Sequence, residues 1–324
     1  MSLELRIIQP NEFARGERIA VGPGARIYKG TWERSDKPVA IKVWYAVNLK
    51  ETLKEEYDLA GIFLSHPNLL AVHGVCTTPG KFADVTELMH TSLAQKLKGL
   101  NLRQIYCISS GIGCGLSFLH LKGFIHKHLT PTNVLLSEDL LTVKLSDAGR
   151  TVFKAEMKRA GYNQMDSTIR YRAPETFTQG YNKLDTTSVE PKKQADVYSE
   201  AMLLWAMLAG REPFAGDKEA VVTTKLIAAA KETIPRCTKP HADLIEKCWK
   251  VSGERPSAAE FEFELKNANE FVESTFQKVK LASNVIFSEG QLKDIYSKAL
   301  QSFLWQLLSP ELCYQPPINE SQVP

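Results

Sequence analysis

The stretch His126-Lys127-His128-Leu129-Thr130-Pro131-Thr132-Asn133, with Asp147-Ala148-Gly149 a little further along the chain, decides the fold of this sequence. Working outward, Val39-Ala40-Ile41-Lys42 lies upstream, and Ala173-Pro174-Glu175 and Asp196-Val197-Tyr198-Ser199 lie downstream. Each of these short segments occurs by chance in unrelated proteins, so each alone is a weak signal. Their order and spacing together form a far more specific pattern.

The composition of the chain narrows its class before any motif is considered. The 324 residues suit one large domain with two lobes or two small domains, and 44% of them are hydrophobic. A net charge of +3 gives no broad attraction to nucleic acid or to a membrane surface. The six cysteines are scattered without a C-x-x-C pair, which argues against a disulfide framework or a zinc site. The N-terminus lacks the apolar stretch of a signal peptide, and the longest apolar run, 201–209, is too short to span a membrane, so we expect a cytoplasmic protein.

The pattern of apolar residues changes about ninety residues into the chain. Before that point one helical stretch, 48–64, interrupts a series of strand signals. The predicted strands cover residues 19–21, 26–32, 38–45, 69–76 and 82–88. Helical spacing then dominates, with an amphipathic helix at 102–121 and a buried helix at 195–209. The sequence therefore predicts an α+β fold, in which a small β-rich lobe joins a larger helical lobe near residues 89–92.

The last part of the chain carries two further helix signals. Ser257 with Glu260 has the S-x-x-E spacing of a capping box, and Ser288 with Gln291 repeats a similar spacing. The second helix would end before Pro310. The apolar faces of these helices would either pack back on the helical lobe or bind a partner.

Lys42 ends a strand that should be buried, and burying a lysine is costly unless an anion meets it. Gly22 and Gly24 lie one strand upstream, and glycines there would let backbone N–H groups approach a phosphate. The combination favours a phosphate-binding site. The alternative for Lys42 alone is an edge-strand lysine that reaches solvent.

From about residue 13 to residue 265 the sequence resembles the protein kinase domain. It is most similar to the tyrosine-kinase-like group that contains receptor-interacting and mixed-lineage kinases. The segments that carry this similarity are Tyr28-Lys29-Gly30, His66-Pro67-Asn68, Val85-Thr86-Glu87 and Cys248-Trp249. The resemblance implies a bilobal kinase-like fold, with one regulatory helix in the N-lobe and extra C-terminal helices. It places the kinase-like domain at 13–270, with an N-lobe at about 13–89 and a C-lobe at about 90–270, and a helical tail at 271–324.

The resemblance implies a role for each matching position. Lys42 would contact the α- and β-phosphates of ATP and pair with a glutamate of the first helix, either Glu56 or Glu55. Thr86 would be the gatekeeper at the back of the adenine pocket, and residues 87–89 would form the hinge. The full set of implied nucleotide-binding residues is Gly22, Gly24, Ile27, Ala40, Lys42, Glu56, Thr86, Glu87, Met89, Asn133 and Asp147.

Metal-binding and architectural residues also follow from the resemblance. Asn133 and Asp147 would hold Mg²⁺, because hard oxygen ligands suit that ion. Glu175 and Arg255 would form a buried ion pair that braces the helical lobe. Asp196 would brace the catalytic loop from the buried helix.

The catalytic loop departs from the kinase pattern at the positions that perform the chemistry. His128 replaces the aspartate that orients the attacking hydroxyl, and Thr130 replaces the lysine that stabilises the transferred phosphoryl group. Loss of a general base alone typically costs on the order of 10²–10⁴-fold in rate. Ala148 replaces the phenylalanine of the D-F-G motif, and Pro23 removes one backbone N–H from the glycine loop.

These departures predict a pseudokinase that acts as a signalling scaffold or allosteric switch and binds ATP, with or without Mg²⁺. Its partners would be proteins, such as an upstream kinase or a second copy of the chain. Two alternatives stay open: an active Ser/Thr kinase that uses His128 as its base, and an interaction module that binds no nucleotide. In the latter, Lys42 would simply pair with Asp147 or Glu56. The candidate switch residues in the activation segment are Thr151, Tyr162, Ser167 and Thr168.

Overall fold

The computed structural model describes residues 6–22, 25–45, 65–78, 81–148, 167–177, 189–282 and 313–314, and of 167–168, 189–192, 275–282 and 313–314 it describes the backbone alone. Within these ranges the strands are β1 Phe13–Val21, β2 Ala25–Trp32, β3 Ser35–Trp44, β4 Val72–Cys76, β5 Ala83–Glu87, β6 Thr91–Ser92, β7 Val134–Leu136, β8 Val143–Leu145, β9 Cys237–Thr238 and β10 Cys313–Tyr314. The α-helices are α1 Leu93–Lys96, α2 Leu102–Leu121, α3 Val189–Ala209, α4 Glu219–Ile227, α5 Lys239–Cys248 and α6 Ala258–Ala282. Short 3₁₀ turns lie at Pro131–Asn133, Ser167–Tyr171 and Pro174–Phe177.

An antiparallel sheet in the order β1-β2-β3-β5-β4 forms the small lobe. Side chains of β3 alternate between its two faces, as in any strand. Val39 and Ile41 are buried in the core of this lobe, together with Val85 of β5. Ala40 and Lys42 therefore lie on the opposite face, which is the face that carries the candidate site.

A segment before β1 completes the outer side of this sheet. The Ile8 N–H donates to the Val75 carbonyl at 3.0 Å, and the Val75 N–H donates to the Arg6 carbonyl at 2.9 Å. Ile8 is fully buried among the core residues of the small lobe. A Cβ added to Gly74 would lie 2.7 Å from the Ile8 side chain, so the close approach of this segment depends on a glycine.

Helix α2 runs through the large lobe and packs against α3, α6 and β8. Its first turn is closed by a capping box, since the Gln104 N–H donates to the Asn101 side chain at 2.9 Å and the Gln104 side chain accepts from the Asn101 N–H at 3.1 Å. Gly111 and Gly115 face β8, and a Cβ on Gly111 would lie 2.7 Å from Val143. The two glycines thus allow the helix to lie close to the strand that leads into the candidate site.

Helix α3 is buried along most of its second half, including Met202 to Ala206. It nevertheless carries two carboxyl groups, Asp196 and Glu200, into the interior, where they are 2% and 1% exposed. Buried carboxyl groups are rare unless they are paired, and Asp196 accepts hydrogen bonds from the backbone of residues 126 and 127.

The two-lobed α+β architecture predicted from the sequence is confirmed, with the β-rich lobe first. The bounds differ mainly in β1, which begins at Phe13 although only 19–21 were predicted as strand. Residues 14–21 are exposed, so this edge strand lacks the alternation that identifies a half-buried strand. Helix α3 begins at Val189, several residues before the predicted start at 195.

The capping box at Ser257 and Glu260 opens α6, and the Ser257 N–H donates to the Glu260 carboxylate at 2.7 Å. Phe261, Leu265 and Ala268 of this helix are buried, so its first half packs back on the large lobe. The predicted helices at 48–64 and 288–310 lie outside the described residues. Of the helices in the described ranges, none combines the length and the apolar character that a bilayer crossing requires.

Candidate functional site

Lys42 projects from β3 and meets Asp147, which follows β8 of the large lobe. The Lys42 Nζ atom lies 2.7 Å from both carboxylate oxygens of Asp147. The two side chains are 20% and 15% exposed, so solvent screens the pair only partly. This ion pair links the sheet of the small lobe to the large lobe.

Asp147 adopts a left-handed backbone conformation, with φ of 60°. Such a conformation is unfavourable for a residue with a Cβ and persists only where the surroundings impose it. The preceding residue supplies one such restraint, because the Ser146 N–H donates to the Asn133 carbonyl at 2.9 Å. Its hydroxyl donates to the same carbonyl at 3.3 Å.

Asp196 holds the backbone of the loop at 126–133. One carboxylate oxygen accepts from the His126 N–H at 2.7 Å, and the other accepts from the Lys127 N–H at 2.8 Å. The His120 Nε2 atom of α2 lies 2.9 Å from the first of these oxygens. Lys127 has φ of 66°, a second left-handed position that these bonds help to maintain.

His128 lies between this anchored part of the loop and the turn at Pro131–Asn133. Its backbone carbonyl accepts a hydrogen bond from the Asn133 Nδ2 atom at 2.8 Å, and its N–H donates to the His126 Nδ1 atom at 3.3 Å. Thr130 is 3% exposed, and its hydroxyl lies 2.9 Å from that of Thr132. The loop therefore places a half-buried imidazole and a buried hydroxyl where the kinase pattern has an acid and a lysine.

Asn133 is 8% exposed, and its amide nitrogen is used by the His128 carbonyl. Its Oδ1 atom is consequently the side-chain atom that can act as a ligand. Within the described ranges, no group of three or more His, Cys, Asp and Glu side chains forms a metal site. A metal here would depend on Asn133, Asp147 and oxygen atoms of a bound molecule.

The predicted hinge follows β5, beside β3. Thr86 is 7% exposed and lies opposite Ala40 in the strand register, and its hydroxyl donates to the Glu87 carbonyl at 3.1 Å. Ala40, Ile27, Glu87 and Met89 are all partly exposed, as the walls of an open cleft would be.

The Glu87 side chain is fixed by groups that the sequence did not indicate. One of its oxygens accepts from the Ala71 N–H at 2.7 Å and lies 3.0 Å from the Lys144 Nζ atom of β8. This contact ties the end of β5 to the large lobe, in addition to the Lys42–Asp147 pair.

Two architectural residues meet at the base of the large lobe. The Arg255 guanidinium donates to the two Glu175 oxygens at 2.5 and 2.9 Å. It also donates to the carbonyls of Gln194 and Lys250, at 3.0 and 2.8 Å, and its Cζ atom lies 5.0 Å from the Tyr198 ring centroid. With 2% of the Arg255 side chain exposed, nearly all of its donors are satisfied by protein.

The sequence model of the family described as protein tyrosine and serine/threonine kinase matches residues 13–265. The chain belongs to this family. It is 31% identical over 264 residues to the probable serine/threonine-protein kinase drkD of Dictyostelium discoideum, an alignment that covers 77% of the chain and 19% of that protein. It is 29% identical over 270 residues to the dual specificity protein kinase shkC of the same organism, covering 78% of the chain and 51% of the relative.

The tyrosine-protein kinase Abl of Drosophila melanogaster is 28% identical over 299 residues, which is 88% of the chain and 16% of that protein. The chain thus spans about half of the length of one of these kinases and less than a fifth of the other two. The match, together with the β-sheet lobe and helical lobe, makes the fold the bilobal kinase fold predicted from the sequence.

Kinases of this family generally use ATP and Mg²⁺, and the oxygen donors at Asn133 and Asp147 fit a Mg²⁺ ion that also binds phosphate oxygens. The glycine loop fits a phosphate group less well. The Gly22 N–H donates to the Ala25 carbonyl at 2.8 Å, so the hairpin itself uses this amide. Pro23 has no N–H to offer, and Gly24 lies outside the described residues.

Several predicted site residues cannot be compared with the structure. Glu55, Glu56, Thr151 and Tyr162 lie outside the described residues, and Ser167 and Thr168 are described only as backbone of a 3₁₀ turn. Ala148 is half-buried and packs against the core of the large lobe.

No motif in the sequence indicated Lys144, Trp44 and Asp84, which contact the hinge or lie beside Lys42. The strand alternation contained one usable signal, since Trp44 falls two residues after Lys42 and so on the same face. Asp84 gave no such signal, because its position beside Lys42 depends on the pairing of β3 with β5.

Proposed function

We propose that this chain is a pseudokinase of the tyrosine-kinase-like group, related to receptor-interacting and mixed-lineage kinases, that binds ATP without efficient phosphoryl transfer. The observation that carries the proposal is the loop at 126–133. Asp196 fixes its backbone, yet His128 and Thr130 occupy the positions of the base and of the cation.

The two replacements act on different parts of phosphoryl transfer. A kinase base must accept the proton of the attacking hydroxyl while a metal ion lies close by, and a carboxylate suits both tasks. An imidazole brings no negative charge to orient the hydroxyl, and when protonated it repels the metal. The buried Thr130 hydroxyl cannot supply the positive charge that would stabilise the transferred phosphoryl group.

The residues that still match the kinase pattern support nucleotide binding. Lys42 can serve the phosphates, and Asn133 and Asp147 can serve Mg²⁺. The hinge at 87–89 lies next to the buried gatekeeper position Thr86. The set proposed for the cleft is Gly22, Gly24, Ile27, Ala40, Lys42, Glu56, Thr86, Glu87, Met89, Asn133 and Asp147.

A scaffold or switch role follows from what the ligand would change. The Lys42–Asp147 pair ties the lobes together, and both residues are the proposed ligands of nucleotide and metal. Binding would therefore replace a contact between the lobes. We expect a cytoplasmic domain at 13–270 with a tail at 271–324, although α6 runs continuously through residue 270. Phosphorylation by an upstream kinase, or self-association, would act on the same contact between the lobes. The candidate phosphorylation sites are Thr151, Tyr162, Ser167 and Thr168.

The first test combines binding with turnover. Thermal melting is measured with ATP, with and without Mg²⁺ or Mn²⁺, and transfer of labelled phosphate is measured on the same protein. We expect ATP to raise the melting temperature, by an amount equivalent to about 2.7 kcal/mol when ATP is at 100 times its Kd. Lys42→Ala should remove the shift, and neither protein should transfer phosphate.

Lys37→Ala is the matched control, since Lys37 is an exposed lysine of the same strand. It should leave the shift unchanged. Robust transfer that depends on Lys42 would contradict the pseudokinase proposal. A melt unaffected by ATP under every metal condition would instead favour an interaction module, in which the Lys42–Asp147 pair is purely structural.

An active kinase that uses His128 is the second candidate. The relatives are named as protein kinases, and the Asn133 amide donates to the His128 backbone carbonyl at 2.8 Å, so His128 contacts the proposed metal ligand. This candidate requires that His128→Ala abolish phosphate transfer and leave ATP binding intact.

A further inference from the structure

Trp44 and Asp84 lie beside Lys42 on one face of the small-lobe sheet. Trp44 follows Lys42 by two residues on β3, and Asp84 lies directly opposite Lys42 on β5. Residues two apart on a strand share a face, and so do directly opposite residues of antiparallel strands. Strand geometry alone therefore brings an ammonium, an indole and a carboxyl group together.

The contacts among these side chains form a chain. The Trp44 Nε1 atom donates a hydrogen bond to the Asp84 Oδ2 atom at 3.0 Å. The Lys42 Nζ atom lies 4.3 Å from the centroid of the Trp44 ring, while it also lies 2.7 Å from both oxygens of Asp147. The ammonium is consequently held by an aromatic ring of its own lobe and by a carboxylate of the other lobe.

Because Asp84 and Trp44 are buried, loss of the hydrogen bond between them would be strongly destabilising. Asp84 is 1% exposed and Trp44 is 9% exposed. A carboxyl group so deeply buried requires a donor, and the indole N–H supplies one. A hydrogen bond from the indole to a carboxylate also orients the ring and makes its face more negative, which strengthens its attraction for the ammonium.

We infer that Trp44 and Asp84 are positioning residues that hold Lys42 for the phosphate end of a nucleotide. The inference rests on the proposed nucleotide binding and specifies how this chain keeps its phosphate-binding cation in place. A nucleotide phosphate and the Asp147 carboxylate compete for the ammonium, whereas the indole remains its partner in either case. Trp44 and Asp84 act through Lys42 and need not touch the nucleotide.

The decisive measurement compares ATP with adenosine, which has the same base and sugar but no phosphates. The ratio of the adenosine Kd to the ATP Kd reports the contribution of the phosphates alone. Trp44→Leu should lower this ratio by roughly 3- to 20-fold, the range expected for a cation–aromatic contact, and leave the adenosine Kd unchanged. Asp84→Asn should lower it less, because the amide oxygen still accepts from the indole. Lys42→Met should lower the ratio most.

Trp32→Leu is the matched control, because Trp32 lies in the same sheet and also has a cation over its ring, with the Arg6 Cζ atom 5.0 Å from the centroid. We expect it to lower the melting temperature and leave the ratio unchanged. A merely structural role for Trp44 would make the two tryptophan variants alike, and that result would overturn the inference.

A second variant, Trp44→Met, guards against the failure of Trp44→Leu to fold. Melting temperatures of Lys42→Met, Trp44→Met and the double variant, measured without nucleotide, form a mutant cycle, because methionine has no aromatic ring and its flexible side chain fills part of the space of the indole. Non-additive changes would uphold the Lys42–Trp44 contact, and additive changes would overturn it. If the unaltered chain binds neither ATP nor adenosine, the proposed function is wrong, and the cycle then tests only whether Trp44 holds Lys42.

Discussion

The contacts that hold the loop at 126–133 follow the kinase pattern, whereas the side chains that this loop presents do not. Asp196 fixes the loop backbone through the His126 and Lys127 amides, and Arg255 pairs with Glu175 in the same lobe. The side chains that would act on a substrate, at His128 and Thr130, do not follow the kinase pattern. The bonds that shape a kinase catalytic loop are therefore separate from the side chains that act on a substrate.

Restoring the chemistry should have the largest effect, because the backbone that it needs is in place. We expect His128→Asp combined with Thr130→Lys to raise phosphate transfer by on the order of 10²–10⁴-fold, the typical value of a positioned base. We expect the melting temperature to fall, because Thr130 is 3% exposed and a lysine at this position loses hydration. The same pair of changes in a Lys42→Ala background should stay inactive. A double variant that binds ATP and gains no activity would mean that Ala148 or the glycine loop also blocks transfer.

Breaking the brace should affect stability instead. Arg255→Ala removes a nearly buried guanidinium that donates to Glu175 and to the carbonyls of Gln194 and Lys250, so we expect a loss of about 3–5 kcal/mol in the free energy of unfolding. Denaturation by urea measures this change. Lys247→Ala is the control, since Lys247 forms an ion pair with Glu264 in which the side chains are 50% and 30% exposed, and such surface pairs contribute about 0–1 kcal/mol. Equal losses of stability in the two variants would mean that the buried ion pair contributes no more than the exposed one, which would contradict this prediction.

Glu200 is a buried carboxyl group one turn after Asp196 on α3. Neither of its carboxyl oxygens accepts a hydrogen bond from a described residue. Burial raises the pKa of Glu200 well above 4.5, and the nearby Asp196 and Glu262 carboxylates raise it further. The folded protein therefore binds this proton more tightly than the unfolded chain, and stability falls as the pH rises above about 4.5.

Glu200→Gln should remove this dependence. We expect the variant to gain stability over the unaltered chain as the pH rises, by up to about 1.4 kcal/mol per pH unit while the folded carboxyl group keeps its proton. Melting temperatures across pH 4.5 to 8 measure the gain, and Glu200→Met should follow the same trend. A gain that is constant with pH would mean that the carboxyl proton is not its source.

How far the sequence predicted the structure depends on whether a contact is local or crosses between elements. The lobes, helix α2 and the Ser257 capping box follow from local spacing, and all of them are confirmed. The polar edge strand β1 was recognised only at its end, because an exposed strand carries little apolar alternation. Motif order brought Lys42 and Asp147 into one candidate site, and it named their direct pairing as one alternative.

The Trp44–Asp84 bond and the Glu87–Lys144 pair could not be predicted in this way. Both join elements whose relative register is set by the packed sheet and by the contact between the lobes. Glu200 is an intermediate case. Its place in an apolar stretch of α3 suggested burial, but the absence of a hydrogen-bonding partner among the described residues depends on how the neighbouring helices pack.

The segment of residues 6–8 has a consequence for how this protein is handled. By pairing with Val75 and burying Ile8, it covers the free side of β4. A protein shortened to begin at residue 9 would present an unpaired strand and an apolar hollow to solvent, the combination that leads strands of separate molecules to pair. Dimers or larger species formed by such a protein would report an uncovered strand and not a signalling assembly, so tests of self-association require residues 6–8.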